Sequence, residues 1–247
     1  MTRRSSRLCS LGRCGPRIML LATPLLLASS AFADTISIGF QEPGVNGGNI
    51  TLIGSGSGTL TIPSTPYGTF TVNQTNAQDF AVLPAPGLLN SNALDISSST
   101  AGILTIWVTA QGLSFTGVQK FKSSFAVNEL AGSVVGVDER TYFSPTNGLF
   151  DVGQKLLDTA IFSSIGIKGP DFALGLSSGT YSVTEEYQIF DTGGVAGDDN
   201  VTIDLSAIPT PVPEPGSLLL MGSGLAFAGL LCYRRRNKRP RLLISNA

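Results

Sequence analysis

The middle of the chain alternates apolar and polar side chains with a period of two residues, the periodicity of a β-strand that buries one face. In residues 180–190 the following apolar side chains share one face: Tyr181, Val183, Tyr187 and Ile189. Residues 120–130 alternate in the same way. Turn-forming pairs of Gly, Asn and Ser recur between such runs, which is typical of many short strands. The pattern predicts an all-β fold, a β-sandwich-like domain.

The alternation and the turn signals together predict the secondary-structure elements. Strands are predicted at residues 35–40, 58–62, 69–72, 102–110, 120–130, 133–143, 171–176, 180–190 and 201–205. Residues 152–162 carry a short helical pattern of apolar residues, although a strand fits them nearly as well. The glycine-serine run at residues 54–58 is predicted to be a surface loop. The run at residues 175–179, which matches a nucleophile-elbow pattern, is predicted to be a turn because no histidine exists to activate its serine.

Histidine is absent from the chain, and its three cysteines all lie outside residues 34–211. Without imidazole there is no Ser–His or Cys–His nucleophile pair, and zinc sites lose a principal ligand. A middle without cysteine excludes a disulfide scaffold, which a domain of this size does not need. We therefore predict no enzyme activity, no catalytic residues, no cofactor and no metal site.

Charge falls into three blocks along the chain. Residues 1–33 hold five arginines and no acid, residues 34–211 hold 16 acidic and five basic residues, and residues 212–247 hold six basic residues and one glutamate. Basic ends are typical of segments kept at the cytoplasmic face, and an acidic middle is typical of the part that is exported. The acidic middle also argues against a nucleic-acid partner, because phosphate contacts need clustered Lys and Arg.

The N-terminal block has the features of a secretory signal peptide. Its arginines precede an apolar stretch at residues 18–28, and Ala31 and Ala33 then form the small-x-small pattern that signal peptidase recognises. Cleavage is expected after Ala33, so that Asp34 begins the mature protein.

The C-terminal block has the features of a membrane anchor. Residues 216–233 contain no charge, and as a helix they would be about 27 Å long, enough for the hydrocarbon core. A basic cluster that begins with Arg234, Arg235 and Arg236 follows at once and acts as a stop-transfer signal. The positive-inside rule keeps this cluster in the cytoplasm and places the preceding domain outside.

A proline motif stands immediately before the apolar segment. Val212, Pro213, Glu214 and Pro215 cannot continue a helix or a central strand, so they predict an extended stalk. Together with the apolar segment and the arginines, this motif resembles the PEP-CTERM sorting signal. The resemblance implies cutting near the motif by exosortase, a membrane-embedded transpeptidase-like protease, and display at the cell surface or in the extracellular matrix, with exopolysaccharide or biofilm as the associated material.

The chain is predicted to have five parts. During export across the inner membrane, the protein is predicted to form an intermediate that spans the membrane once. The parts are a signal peptide (1–33), the β-sandwich domain (34–207), a Pro-rich stalk with the PEP motif (208–217), a transmembrane helix (218–233) and a basic cytoplasmic tail (234–247). The predicted processing partners are signal peptidase and exosortase, and the membrane is a transient anchor.

One alternative function is a secreted hydrolase that uses carboxylates. Asp138 and Glu139 are adjacent in a predicted strand, as are Glu185 and Glu186. Neighbours on a strand point to opposite faces, so neither pair can act on one substrate. A pair drawn from different strands stays open.

The other alternative is a carbohydrate-binding or adhesion module. Trp107 lies in a predicted apolar strand, where a single Trp is more often a core residue than a sugar platform. Residues 191–200 offer several oxygen ligands suited to Ca²⁺, but their spacing is not that of an EF-hand, and an exposed acidic loop is the simpler interpretation.

Overall fold

The computed structural model describes residues 35–79, 87–194 and 196–208. These residues form eleven β-strands and one short 3-10 turn at Asn46–Gly48, and every strand pair is antiparallel. The strands are β1 (Thr35–Gln41), β2 (Thr51–Gly56), β3 (Thr59–Ile62), β4 (Thr65–Tyr67), β5 (Phe70–Asp79), β6 (Gly87–Ser98), β7 (Gly102–Ala131), β8 (Val134–Ser144), β9 (Lys155–Phe162), β10 (Gly166–Asp191) and β11 (Asp198–Ile208).

The strands build two sheets that share their two longest members. The first sheet has the order β2-β1-β7-β10-β8-β9, and the second has the order β3-β5-β6-β11-β7-β10, with β4 also paired to β5. β7 pairs with β1 as far as Gln111 and with β11 from Lys120 onward. Between these points β7 stays paired with β10 while both strands pass from one sheet to the other.

This crossing defines the two ends of the sandwich. We call the end at the crossing the exit end, because Ile208, the last residue of β11, pairs with Lys120 there. At the opposite end, the far end, Gly102 pairs with Asp191, and Ala131 pairs with Asp198.

The core lies between the sheets and follows the alternation of the sequence. Tyr181, Val183, Tyr187 and Ile189 are all buried, which confirms the predicted face of residues 180–190. Phe121 of the second sheet packs against Phe143 and Tyr181 of the first, with ring centroids 5.2 and 6.1 Å away. Such contacts across the two layers confirm the predicted β-sandwich-like fold.

Several local predictions differ from the structure. Residues 155–162 of the candidate helix form strand β9. Residues 54–56 of the predicted glycine-serine loop belong to strand β2, and residues 175–179 of the predicted turn lie inside β10. The predicted strands at 102–110 and 120–130 are parts of one strand, β7.

The predicted targeting segments lie outside the described residues. They include the signal peptide, most of the stalk, the apolar segment and the basic tail. Among residues 35–79, 87–194 and 196–208, no helix has the length and apolar character to cross a bilayer.

Candidate functional site

Two carboxylates converge in the middle of the sandwich. Glu139 of β8 and Glu185 of β10 lie on neighbouring strands, and both are fully buried. Ser91 of β6, in the opposite sheet, donates a hydrogen bond to Glu185. The Tyr187 hydroxyl lies 2.7 Å from both the hydroxyl and the carbonyl oxygen of Ser91. This buried polar cluster joins the two sheets.

Burial sets the protonation of this cluster. Desolvation raises the pKa of Glu139 to about 9, and it also raises the pKa of Glu185 well above its usual range. Neither Glu139 oxygen accepts a hydrogen bond from a described residue, which suits a neutral carboxyl better than an anion. A glycosidase needs its two carboxyl groups at a cleft that a sugar can enter. Because both groups are sealed in the core, they do not form a hydrolase site.

The neighbouring acids point to the outer face of the first sheet. Arg140 forms ion pairs of 3.1 Å with Glu186 and 3.0 Å with Asp138. The Tyr142 hydroxyl donates a 2.5 Å hydrogen bond to Glu186. Burial is the main cause that raises the pKa of Glu186, and Arg140 and Tyr142 oppose it. Glu185 faces inward and Glu186 outward, so the prediction that adjacent acids point to opposite faces is confirmed for this pair.

Trp107 is buried on the outer side of β7, with 6% of its surface exposed. Its indole N–H donates a 3.1 Å hydrogen bond to the Gln41 side chain, and Trp107 pairs across the sheet with Gly39 and Glu186. Ile50 and Phe150 fill the space above Gly39. A buried indole cannot stack on a sugar, which confirms the interpretation of Trp107 as a buried structural residue rather than a sugar platform.

In the candidate calcium segment at residues 191–200, Asp191 and Asp199 are buried within β10 and β11, so the prediction of an exposed acidic loop is wrong for these two acids. Asp191 accepts hydrogen bonds from Ser133 and from the Gly193 N–H, and Asp199 accepts one from the Ile96 N–H. Asp198 is exposed. Within the part of the chain that the structure describes, no group of three acidic, Cys or His side chains is arranged to hold a metal ion.

A polar groove on the outer face of the second sheet was missed by the sequence analysis. It encloses about 430 Å³ and is lined mainly by amide and hydroxyl side chains. Two cross-strand rows form its floor: Thr61, Asn76, Asn92 and Thr202 in one, and Thr59, Gln78 and Asn90 in the other. We call this surface the amide groove. Its sequence signal is the alternation of Asn or Gln with buried residues, as in Asn90-Ser91-Asn92.

The solved structures that resemble the chain are distant. TmCBM61, in complex with β-1,4-galactotriose, is 11% identical with a TM-score of 0.29, and the match covers 55% of this chain and 82% of that one. The C-terminal CBM6 of LamC, a marine laminarinase from Zobellia galactanivorans, is 16% identical with a TM-score of 0.21, and the match covers 60% and 98%. A comparison with curated proteins finds no match.

A family profile identifies the C-terminal block. The profile of the PEP-CTERM protein-sorting motif matches residues 211–236, three residues beyond the end of β11 at Ile208. The match includes the proline motif Val212, Pro213, Glu214 and Pro215, the apolar segment and the arginines Arg234, Arg235 and Arg236. The chain therefore carries a PEP-CTERM protein-sorting motif at residues 211–236.

Proposed function

We propose that the chain is a non-catalytic surface protein that exosortase releases from a membrane-anchored intermediate. The match of residues 211–236 to the sorting motif carries this proposal. It is supported by the position of the motif, which follows directly after the strand that completes the sandwich. A cut at the motif would therefore leave the folded domain whole.

The chemistry of the sandwich supports a role without catalysis. The carboxylates that converge, Glu139 and Glu185, are sealed between the sheets, and Glu186 is held by Arg140 and Tyr142. Histidine is absent from the whole chain. The domain therefore acts through its surfaces, with exopolysaccharide or another extracellular polymer as the surrounding material.

Replacement of the motif tests the sorting proposal. Pro213, Glu214 and Pro215 are changed together to Ala in a host with an active exosortase, and the matched control is Pro209→Ala. Fractionation and C-terminal sequencing report where the protein goes and where it is cut. We expect the control to be cut and released, and the triple variant to stay at full length in the inner membrane. Wild-type protein that stays uncut and anchored would refute the proposal in favour of a permanent single-span protein.

The amide groove favours a second candidate function, binding of a neutral polysaccharide. Asn and Gln side chains each offer both donors and an acceptor, which suits sugar hydroxyls that also donate and accept. The lining carries no cation that would select an anionic polymer. The groove lies on a sheet face, so its floor is held in place by the cross-strand pairs beneath it.

Paired substitutions test this second candidate. Asn76→Ala with Asn92→Ala removes two amides from one row of the groove, and Asn49→Ala removes an exposed amide elsewhere. If neutral polysaccharide binds in the groove, affinity measured by pull-down or calorimetry should fall about tenfold or more, since each lost hydrogen bond contributes about 1 kcal/mol. Equal binding by the double variant and the control would exclude the groove.

A further inference from the structure

The lysines of the exported domain are gathered towards one end. Residues 34–211 contain only four lysines, namely Lys120, Lys122, Lys155 and Lys168. Lys120 pairs across the sheet with Leu174 and with Ile208, and Lys122 pairs with Phe172, at the exit end. The Lys155 ammonium donates to the carbonyl of Leu174. Three of the four cations therefore surround one short stretch of β10.

Two large apolar side chains stand exposed among these cations. Phe172 is 52% exposed and Leu174 is 54% exposed, and both lie on the outer face of the edge strand β10. The Lys120 ammonium lies 4.2 Å from the centre of the Phe172 ring. We call Phe172, Leu174, Lys120, Lys122 and Lys155 the exit patch.

The ammonium groups of the exit patch are not held in close ion pairs with described residues. Lys168, further along β10, is neutralised by ion pairs with Asp158 and Asp171. By contrast, none of Lys120, Lys122 and Lys155 has a carboxylate of the described residues within salt-bridge distance. Burial raises the pKa of Asp204, a partly buried acid of β11, and the nearby Lys122 lowers it, so Lys120 and Lys155 carry most of the local excess of positive charge on this acidic domain.

The place where the chain leaves the sandwich indicates what this patch meets. Ile208 ends β11 in the same cross-strand row as Lys120 and Leu174. Nine residues, 209–217, then separate it from the predicted transmembrane helix at 218–233. A fully extended chain of this length spans at most about 30 Å. Neighbouring strands are about 4.8 Å apart, so the backbone of Lys120 lies about 5 Å, and that of Leu174 about 10 Å, from the root of this short tether.

We propose that the exit patch docks the domain on a bilayer surface that carries anionic headgroups while the protein is membrane-anchored. Apolar rings and chains enter the interface, and lysines around them attract anionic lipid, the combination by which peripheral surfaces bind membranes. The inference rests on the anchored intermediate of the proposed function. It adds an orientation, with the exit end on the lipid and the far end away from it.

The test uses the full chain, with its three cysteines changed to Ser, in liposomes of phosphatidylcholine with or without phosphatidylglycerol. A fluorophore that responds to polarity is attached at Phe172→Cys, or at Val135→Cys as the matched control. Val135 is 51% exposed and lies next to Val134, which pairs with Asp191 at the far end. Flotation shows whether the chain is anchored, and iodide quenching shows whether the label is in water.

We expect the label at position 172 to shift its emission to the blue and to lose most of its iodide quenching in anionic liposomes, while the label at 135 stays in water. High salt, which reduces the Debye length to about 3 Å at 1 M, should reverse the change, as should Lys120→Glu with Lys122→Glu. Chains that float while both labels stay quenched would overturn the docking alone. Chains that fail to float would overturn the anchor as well. Shielding at 172 that needs no lipid would assign the patch to a second copy of the chain instead.

Discussion

Glu139→Gln should make the domain more stable at neutral pH, because the wild-type carboxyl must hold a proton that the unfolded chain releases. Burial raises the pKa of Glu139 from 4.5 to about 9. The folded state binds the proton more tightly, so its stabilising effect is complete below pH 4.5 and is lost as the pH rises from 4.5 to about 9. Each pH unit in this window costs about 1.4 kcal/mol, which amounts to about 3 kcal/mol at pH 7.

Glutamine has nearly the shape of the neutral carboxyl and never ionises. The variant should therefore exceed the wild type by about 3 kcal/mol at pH 7 and by little at pH 4.5. Urea unfolding of residues 34–211 measures this difference, with the single, buried Trp107 as the fluorescence reporter. Glu129→Gln, at an exposed position, is the matched control and should change stability by less than about 0.5 kcal/mol.

The pH profile separates titration from packing. A gain that is equal at pH 4.5 and pH 8 would mean that the amide packs better, and no gain at either pH would mean that Glu139 is not buried in a neutral form. Either result would refute the reasoning about the buried cluster.

Three further predictions concern processing, stability and packing. Mass spectrometry of the exported protein should find Asp34 as the first residue, and Met1 or Thr2 on the mature chain would contradict the signal peptide. The melting temperature of residues 34–211 should not respond to reductant or EDTA, whereas a large drop with EDTA would point to Ca²⁺ at residues 191–200. Gly175→Ala should cost about 1–3 kcal/mol in urea unfolding, because the new methyl overlaps the Phe121 ring, and Gly169→Ala, in open space, should cost little; equal effects would contradict this packing.

Alternation predicted the fold class because most strands bury one face against the other sheet. It failed where a strand departs from a plain period of two. In β9 the register shifts opposite Thr141 and Tyr142, so Leu157 and Ala160 both face inward although they are three residues apart. Buried side chains three residues apart are also typical of an amphipathic helix, which explains the helical pattern of residues 152–162.

Glycine misled the reading in two strands for a steric reason. A Cβ at Gly54 would lie 2.6 Å from the Cδ1 atom of Ile62, so glycine lets this side chain pack closely over β2, and a larger residue would make it move. Gly175 allows Phe121 to cover β10 at the crossing. Glycine commonly indicates a turn, whereas here it marks a close approach inside a strand.

The sites show the same limit of sequence reasoning. The sorting motif was found because its three parts are contiguous along the chain. The amide groove and the exit patch gather residues from several strands, and only the register of the sheets brings Asn76 beside Asn92, or Lys120 beside Leu174. The sequence of one strand does not show which residues of the neighbouring strand lie beside it.

The exit patch and the sorting motif both act while the protein is anchored in the membrane. The tether between them determines how strongly the patch binds the bilayer before and after the cut. While the anchor is intact, a tether of at most about 30 Å gives the membrane surface a high effective concentration at the domain. A patch with two apolar side chains and three lysines is then enough to keep the domain bound to the bilayer. Once the motif is cut, that advantage disappears, and three lysines must hold a domain with 16 acidic residues against the same anionic surface. Docking is then weak and the domain leaves. A small patch therefore suits a protein that is to be released. It orients the domain beside the protease before the cut, and it binds too weakly to retain the domain at the membrane afterwards.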